Sequence, residues 1–166
     1  QIQALKDQKI DVAFTRQYIN DDCIVSIELF LEPLVLLVPS QSVYAHYESI
    51  SKEIFIKQKF ILSEEIASPT LFKKTQQLFT ELGAQMQVAQ YSSNILMNVN
   101  LVGMQIGWTI VPAYVESFLG PNVVIKPTQF NLPHIGLYLN YRKQDQTKKL
   151  DLVKNILSQH FHLNIF

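Results

Sequence analysis

The sequence predicts an α/β protein of two Rossmann-like lobes joined by two crossing strands, and three observations lead there. From Ser40 onward, strand-like and helix-like runs alternate, as in a parallel sheet covered by helices. The run Ile27 to Val38 is apolar on both faces apart from Glu32 and Pro33, which suits a strand covered on both sides or passing between sub-domains. Near the end, Leu150, Val153, Ile156, Leu157, His160 and Phe161 fall at helical spacing, so a packed terminal helix is expected from about Asp145. Residues 1–39 with 129–166 are assigned to lobe one and 40–128 to lobe two, the chain crossing between them twice.

The elements follow in order. Ile2 and Leu5 fit a short helix handing over to a strand at Ile10 to Phe14, and Arg16 opens a polar loop. Pro39-Ser40-Gln41-Ser42 ends the long apolar strand, and Lys59 to Leu62 makes a short one. Ser68-Pro69-Thr70 starts a helix with Ser at the cap and Pro in the first turn; Leu71, Phe72, Thr75, Leu78, Phe79 and Leu82 carry its apolar stripe to a stop at Gly83. A strand Met86 to Ala89 leads to a second cap-like cluster, Tyr91-Ser92-Ser93-Asn94, and the helix Ile95 to Met104. Gly107 to Val111 reads as strand, Pro112 to Phe118 as a short helix, Val123 to Ile125 and Ile135 to Tyr141 as extended. Lobe one then has three strands and two helices. With a start in mid-helix at Gln1, it is read as truncated at its N-terminus, an initial strand lying upstream.

Composition removes several functions. Lys plus Arg and Asp plus Glu each number 14, whereas a domain that grips nucleic acid by itself shows a basic face. Lys73-Lys74 and Lys148-Lys149 lie on expected helices and read as solvated faces. The apolar stretches are too short and too interrupted to span a membrane. Cys23 is alone, which excludes an internal disulfide and fits a reducing cytoplasm; beside Asp21 and Asp22 it reads as an ordinary, partly buried thiol. His46, His134, His160 and His162 lack metal-ligand spacing, and Glu64-Glu65 and Asp21-Asp22 are adjacent pairs that need not face one way. With no nucleophile elbow and no phosphate-cradling glycine loop, neither catalysis, metal nor cofactor is expected.

Ligand chemistry is expected at the loops that follow strands, where open α/β sheets gather helix N-termini around a crevice. Thr15-Arg16, Ser63 to Thr70 and Tyr91 to Asn94 are those loops. The last two open helices with hydroxyls beside unpaired backbone N–H groups, an arrangement suited to an anion. Ser63, Ser68, Thr70, Ser92, Ser93 and Asn94 are therefore candidate contacts, although Ser68, Ser92 and Ser93 equally fit plain helix caps. Thr15 also fits a strand end, Arg16 a surface position, and Trp108 a core aromatic as well as a stacking surface for the ligand.

Three segments resemble one family. Ala4-Leu5-Lys6-Asp7-Gln8-Lys9-Ile10-Asp11-Val12-Ala13-Phe14, Leu31-Glu32-Pro33-Leu34-Val35-Leu36-Leu37-Val38-Pro39, and Ile95-Leu96 with Leu101 to Pro112 stand in the order and at the distances of effector domains of LysR-type transcription regulators. Gln8 stands where that family often has Gly, and Gln105 replaces the first Gly of its Gly-X-Gly pair. The resemblance implies a type 2 periplasmic-binding-protein fold with an effector between the lobes, contacted by Thr15, Ser92 and Ser93. It also implies a cytoplasmic homodimer or homotetramer whose DNA-binding helix-turn-helix domain is absent from this chain. The expectation is a small anionic metabolite that alters lobe orientation and so modulates DNA binding. A solute-binding protein of a transport system is the alternative on the same fold, and an enzyme such as a dehydratase a third reading.

Overall fold

A computed structural model describes residues 1–161. In chain order the elements are α1 (Ile2–Lys6), β1 (Val12–Thr15), β2 (Ile24–Pro39), a 3-10 turn (Val43–His46), α2 (Lys52–Phe55), β3 (Lys59–Ser63), α3 (Pro69–Glu81), β4 (Gln87–Ser92), α4 (Ile95–Gly103), β5 (Thr109–Pro112), a 3-10 turn (Ala113–Phe118), β6 (Val123–Lys126), β7 (His134–Arg142) and α5 (Lys148–Phe161). Two compact units arise: Gln1–Glu32 with the described residues from Ile135 onward, and Pro33–His134. The change of unit falls inside β2 and beside the start of β7, whereas the sequence reading places it at residues 39 and 129.

In unit one, β1 pairs antiparallel with β7, Val12 opposite Tyr141 and Thr15 opposite Tyr138, and β7 lies beside β2. Leu29, Leu139, Tyr141 and Leu150 form the buried centre, with Leu157 and Phe161 of α5 against them. Positions 150, 157 and 161 share one helix face; Ile156, rotated off it, is 56% exposed, against the sequence reading. Ile10 precedes the strand instead of starting it and packs with Leu5, Ala13 and Ile24. Arg142 ties the unit together by donating to the Leu5 and Ile10 carbonyls (2.9 and 2.6 Å) and to Asp11 and Asp145 (3.2 and 2.7 Å). Cys23 is exposed, not partly buried, because it lies in the turn that precedes β2.

In unit two, β3 and β4 run parallel, Ser63 level with Ser92. On the other side of β3, the Trp108 N–H donates to the Lys59 carbonyl (2.9 Å), and the Trp108 carbonyl accepts from Ile61 (2.8 Å). The chain approaches closely here, since a Cβ at Gly107 would stand 2.7 Å from the Lys59 oxygen. β5 and β6 each pair antiparallel with the second half of β2, so unit two holds antiparallel as well as parallel pairings and not a parallel sheet throughout. Leu37, Ile61, Val99, Val102, Val111, Val115 and Val123 fill one side. Phe55, Phe60 and Phe79 pack together on the other, drawing in α2, too short to show a periodicity in the sequence.

Three helices end alike. After α1, α3 and α4 the residues Gln8, Gly83 and Gln105 take left-handed φ values of 58, 67 and 61°. In each, that residue's N–H and the next one close back onto the last turn: Gln8 to Leu5 and Lys9 to Ala4, Gly83 to Thr80 and Ala84 to Phe79, Gln105 to Val102 and Ile106 to Leu101. This is the paired bonding that satisfies final carbonyls and favours glycine. Two of the three positions do without it.

Candidate functional site

The carboxyl ends of β3 and β4 meet the first turns of α3 and α4, and polar side chains gather there. Ser63 and Ser92 end the two strands, 2% and 5% exposed. Between them Asn98 of α4, 0% exposed, donates through Nδ2 to Ser63 Oγ at 3.0 Å and to Thr109 Oγ1 at 3.4 Å. Ser92 donates to Asn98 Oδ1 and to the Asn94 carbonyl, and Thr109 to the Ile61 carbonyl at 2.9 Å. A buried polar group left unpaired costs about 1–3 kcal/mol, so the four side chains secure one another.

The helix starts differ from the sequence reading. Asn94, not Ser92 or Ser93, caps α4, its Oδ1 accepting from the Met97 N–H at 2.8 Å. Ser68 holds the cap position of α3 yet makes no side-chain cap bond. Ser93 is exposed, Ser68 and Thr70 half-buried, and among the described residues none of their hydroxyls is spent on another side chain or carbonyl. The first N–H groups of each helix lack intrahelical partners, those of Thr70 and Leu71 in α3 and of Ile95 and Leu96 in α4. Trp108 is 4% exposed, edge-on to Tyr44 and Phe60 at centroid distances of 5.3 and 6.4 Å, so its indole belongs to the core of unit two.

In unit one, Thr15 closes β1. Its Oγ1 donates to the Gln17 carbonyl (2.7 Å) and accepts from Asn140 Nδ2 (2.8 Å), leaving a lone pair to offer and no proton. Asn140 is fully buried, and its Oδ1 has no partner among the described residues. Arg16 lies 3.5 Å from Glu32, itself 8% exposed, so the guanidinium meets a carboxylate of its own chain. Nearby, Tyr138 donates to Glu28 at 2.9 Å; burial first, then that bond and charge, raise the phenol above its ordinary pKa and keep it protonated.

Asn98 and Asn140 were missed from the sequence. The signal for Asn98 was present: a polar residue four before Val102, on the face of the helix that Val102 buries. Among the described residues no group of His, Cys, Asp and Glu could hold a metal, and no helix is long and apolar enough to cross a membrane. His162 lies outside the described residues.

Residues 1–162 match the family model for the LysR substrate binding domain. The chain is 29% identical over 150 residues to the Hca operon transcriptional activator HcaR of Escherichia coli (strain K12), covering 90% of this chain and 51% of that protein. It is 30% identical over 116 residues to the HTH-type transcriptional regulator CatR of Pseudomonas putida, covering 70% of this chain and 40% of that one. The chain thus spans about half the length, or less, of these relatives. Its fold is like that of the BenM effector binding domain with its effector benzoate (TM-score 0.84, 20% identity, 97% of this chain and 73% of that one). It is also like the effector binding domain of QuiR in complex with shikimate (TM-score 0.81, 21% identity, 97% and 76%).

Proposed function

Because the chain belongs to the LysR substrate-binding domain family, we propose that it senses a small carboxylate, met at the carboxyl ends of β3 and β4, on behalf of a bacterial transcription regulator. One observation carries the reading. Two neighbouring parallel strands each lead into a helix with unpaired first N–H groups, and Ser68, Thr70 and Ser93 stand there with uncommitted hydroxyls. Outward N–H groups and the positive end of the helix dipole favour an anion at such a place. Two solved structures of like fold hold benzoate and shikimate, both carboxylates.

Ser63, Ser68, Thr70, Ser93 and Asn94 make up the proposed contact set of unit two, with Ser92 at its edge; Trp108 is left out because its indole is packed edge-on against Tyr44 and Phe60 in the core. Thr15 is proposed as a further contact on the family resemblance, as an acceptor for a hydroxyl or amine of the ligand, and Arg16 on its charge, as a partner for an anion. The ligand acts by binding one arrangement of the protein better than another, the only way it can shift an equilibrium. The rest of the proposal is a cytoplasmic homo-oligomer that reaches DNA through another domain and turns over no substrate. The HcaR and CatR relatives favour this reading over a solute-binding protein of a transport system.

Thermal denaturation with and without benzoate, shikimate and other small carboxylates tests the reading. A dose-dependent rise in Tm that Ser93→Leu with Thr15→Leu abolishes is expected; an undiminished rise in that variant refutes the site.

A further inference from the structure

The hydroxyls that end β3 and β4 differ in what they have left to offer. Thr109 gives its single proton to the Ile61 carbonyl at 2.9 Å, so a group facing its oxygen must donate. Asn98 Nδ2 does so at 3.4 Å, which turns Oδ1 toward Ser92. The Ser92 proton is thereby drawn inward, shared between Asn98 Oδ1 and the Asn94 carbonyl. The second Nδ2 proton goes to Ser63 Oγ at 3.0 Å, so Ser63 accepts, and its own proton finds no acceptor among the described residues. β3 ends in a spare donor; β4 ends in a lone pair.

Resting on the carboxylate reading above, we infer that Asn98 is a positioning residue for effector selection: by donating to Ser63 and accepting from Ser92 it holds the Ser63 O–H ready for an acceptor oxygen of the ligand. An oxygen in place of Nδ2 reverses this, since Ser63 then gives its proton inward. Asn98→Asp makes that exchange at constant shape, and its buried carboxyl has a pKa raised by desolvation. Once protonated, the carboxyl can again donate to Ser63.

The probes are benzoate, salicylate and shikimate, titrated calorimetrically, with circular dichroism confirming that each variant is folded. Asn98→Asp should weaken carboxylate binding about tenfold or more at alkaline pH, where its carboxyl is ionised, the scale of one lost hydrogen bond to a charged group. Binding should recover on acidification, which a merely structural role does not produce. Ser63→Ala should weaken it comparably, and the double variant should be no weaker than Asn98→Asp alone. Binding by a folded Asn98→Asp protein at alkaline pH within about twofold of wild type, or no effect of Ser63→Ala, overturns the inference and leaves the carboxylate reading standing. Failure of the unaltered protein to bind any of the three overturns both. If Asn98→Asp does not fold, Ser63→Ala and the exchange of the Asn98 side-chain amide protons decide: slow exchange supports the assignment, a solvent-like rate overturns it.

Discussion

Replacing Gln8 by glycine should stabilise the protein, although it removes a side chain and adds none. Gln8 sits at φ 58°, where a Cβ crowds the following carbonyl at a cost of roughly 1–2 kcal/mol. Glycine removes that cost but loses about 0.5–1 kcal/mol of extra chain entropy on folding, for a net gain of about 0.5–1 kcal/mol. In a chain of this size that raises Tm by about 1–4 °C. Gln105, at φ 61°, obeys the same arithmetic but also donates to Gln41 at 2.9 Å. That exposed bond is worth about 0.5 kcal/mol, so Gln105→Gly gains less. Gly83→Ala runs the other way, because Gly83 stands at φ 67° with open space around it and only the backbone suffers. Urea unfolding followed by circular dichroism reads all three, and the single tryptophan, Trp108, gives a fluorescence signal belonging to unit two. The expected order of stability is Gln8→Gly, Gln105→Gly, wild type, Gly83→Ala. A Gln8→Gly protein less stable than wild type, or a Gly83→Ala protein equal to it, would show that the left-handed turns carry no such cost.

Thr75 is 2% exposed and its hydroxyl has no partner among the described residues, so Thr75→Val, nearly the same shape, should add about 1 kcal/mol in the same urea assay; a loss would show the hydroxyl to be bonded. Gly107→Ala forces a methyl to 2.7 Å from the Lys59 oxygen and should cost about 1–3 kcal/mol, against which unchanged stability would count. The Asp21 carboxyl is held below its ordinary pKa, first by the hydrogen bond from Lys6 and then by the Cys23 N–H. A depressed folded value means stability present above the unfolded pKa and lost as pH falls through the folded one. Asp21→Asn should therefore flatten the acid limb of a Tm against pH curve, most visibly at low salt, and an unchanged limb would contradict the pairing.

The sequence foretold the alternation of elements and the loops bearing polar residues better than it foretold what each polar residue does. Long periodic runs show their partners in their spacing, which is why α3, α4 and the long β2 could be placed within a few residues. α2, four residues long, has no period, and its reason for existing is Phe55 against Phe60 and Phe79, contacts made across the sequence. Among Ser92, Ser93 and Asn94 each can cap a helix, and only the direction in which the strand ends decides that Ser92 turns inward to Asn98 while Asn94 takes the cap. Arg16 is similar: its charge announces an anion, and Glu32, sixteen residues on, supplies one. Gln8 and Gln105 mark the reverse case, where the departure from glycine is plain in the sequence and the chain keeps the left-handed turn regardless.

The central proposal is that a carboxylate binds where β3 and β4 end. The decisive measurement is Tm across a series of small carboxylates at fixed ionic strength, in the unaltered protein and in Ser93→Leu. A ligand at about a hundred times its Kd should stabilise by about 2.7 kcal/mol, or about 5–11 °C, and the shift should shrink sharply in the variant. No rise with any carboxylate, or an equal rise in both proteins, would contradict it.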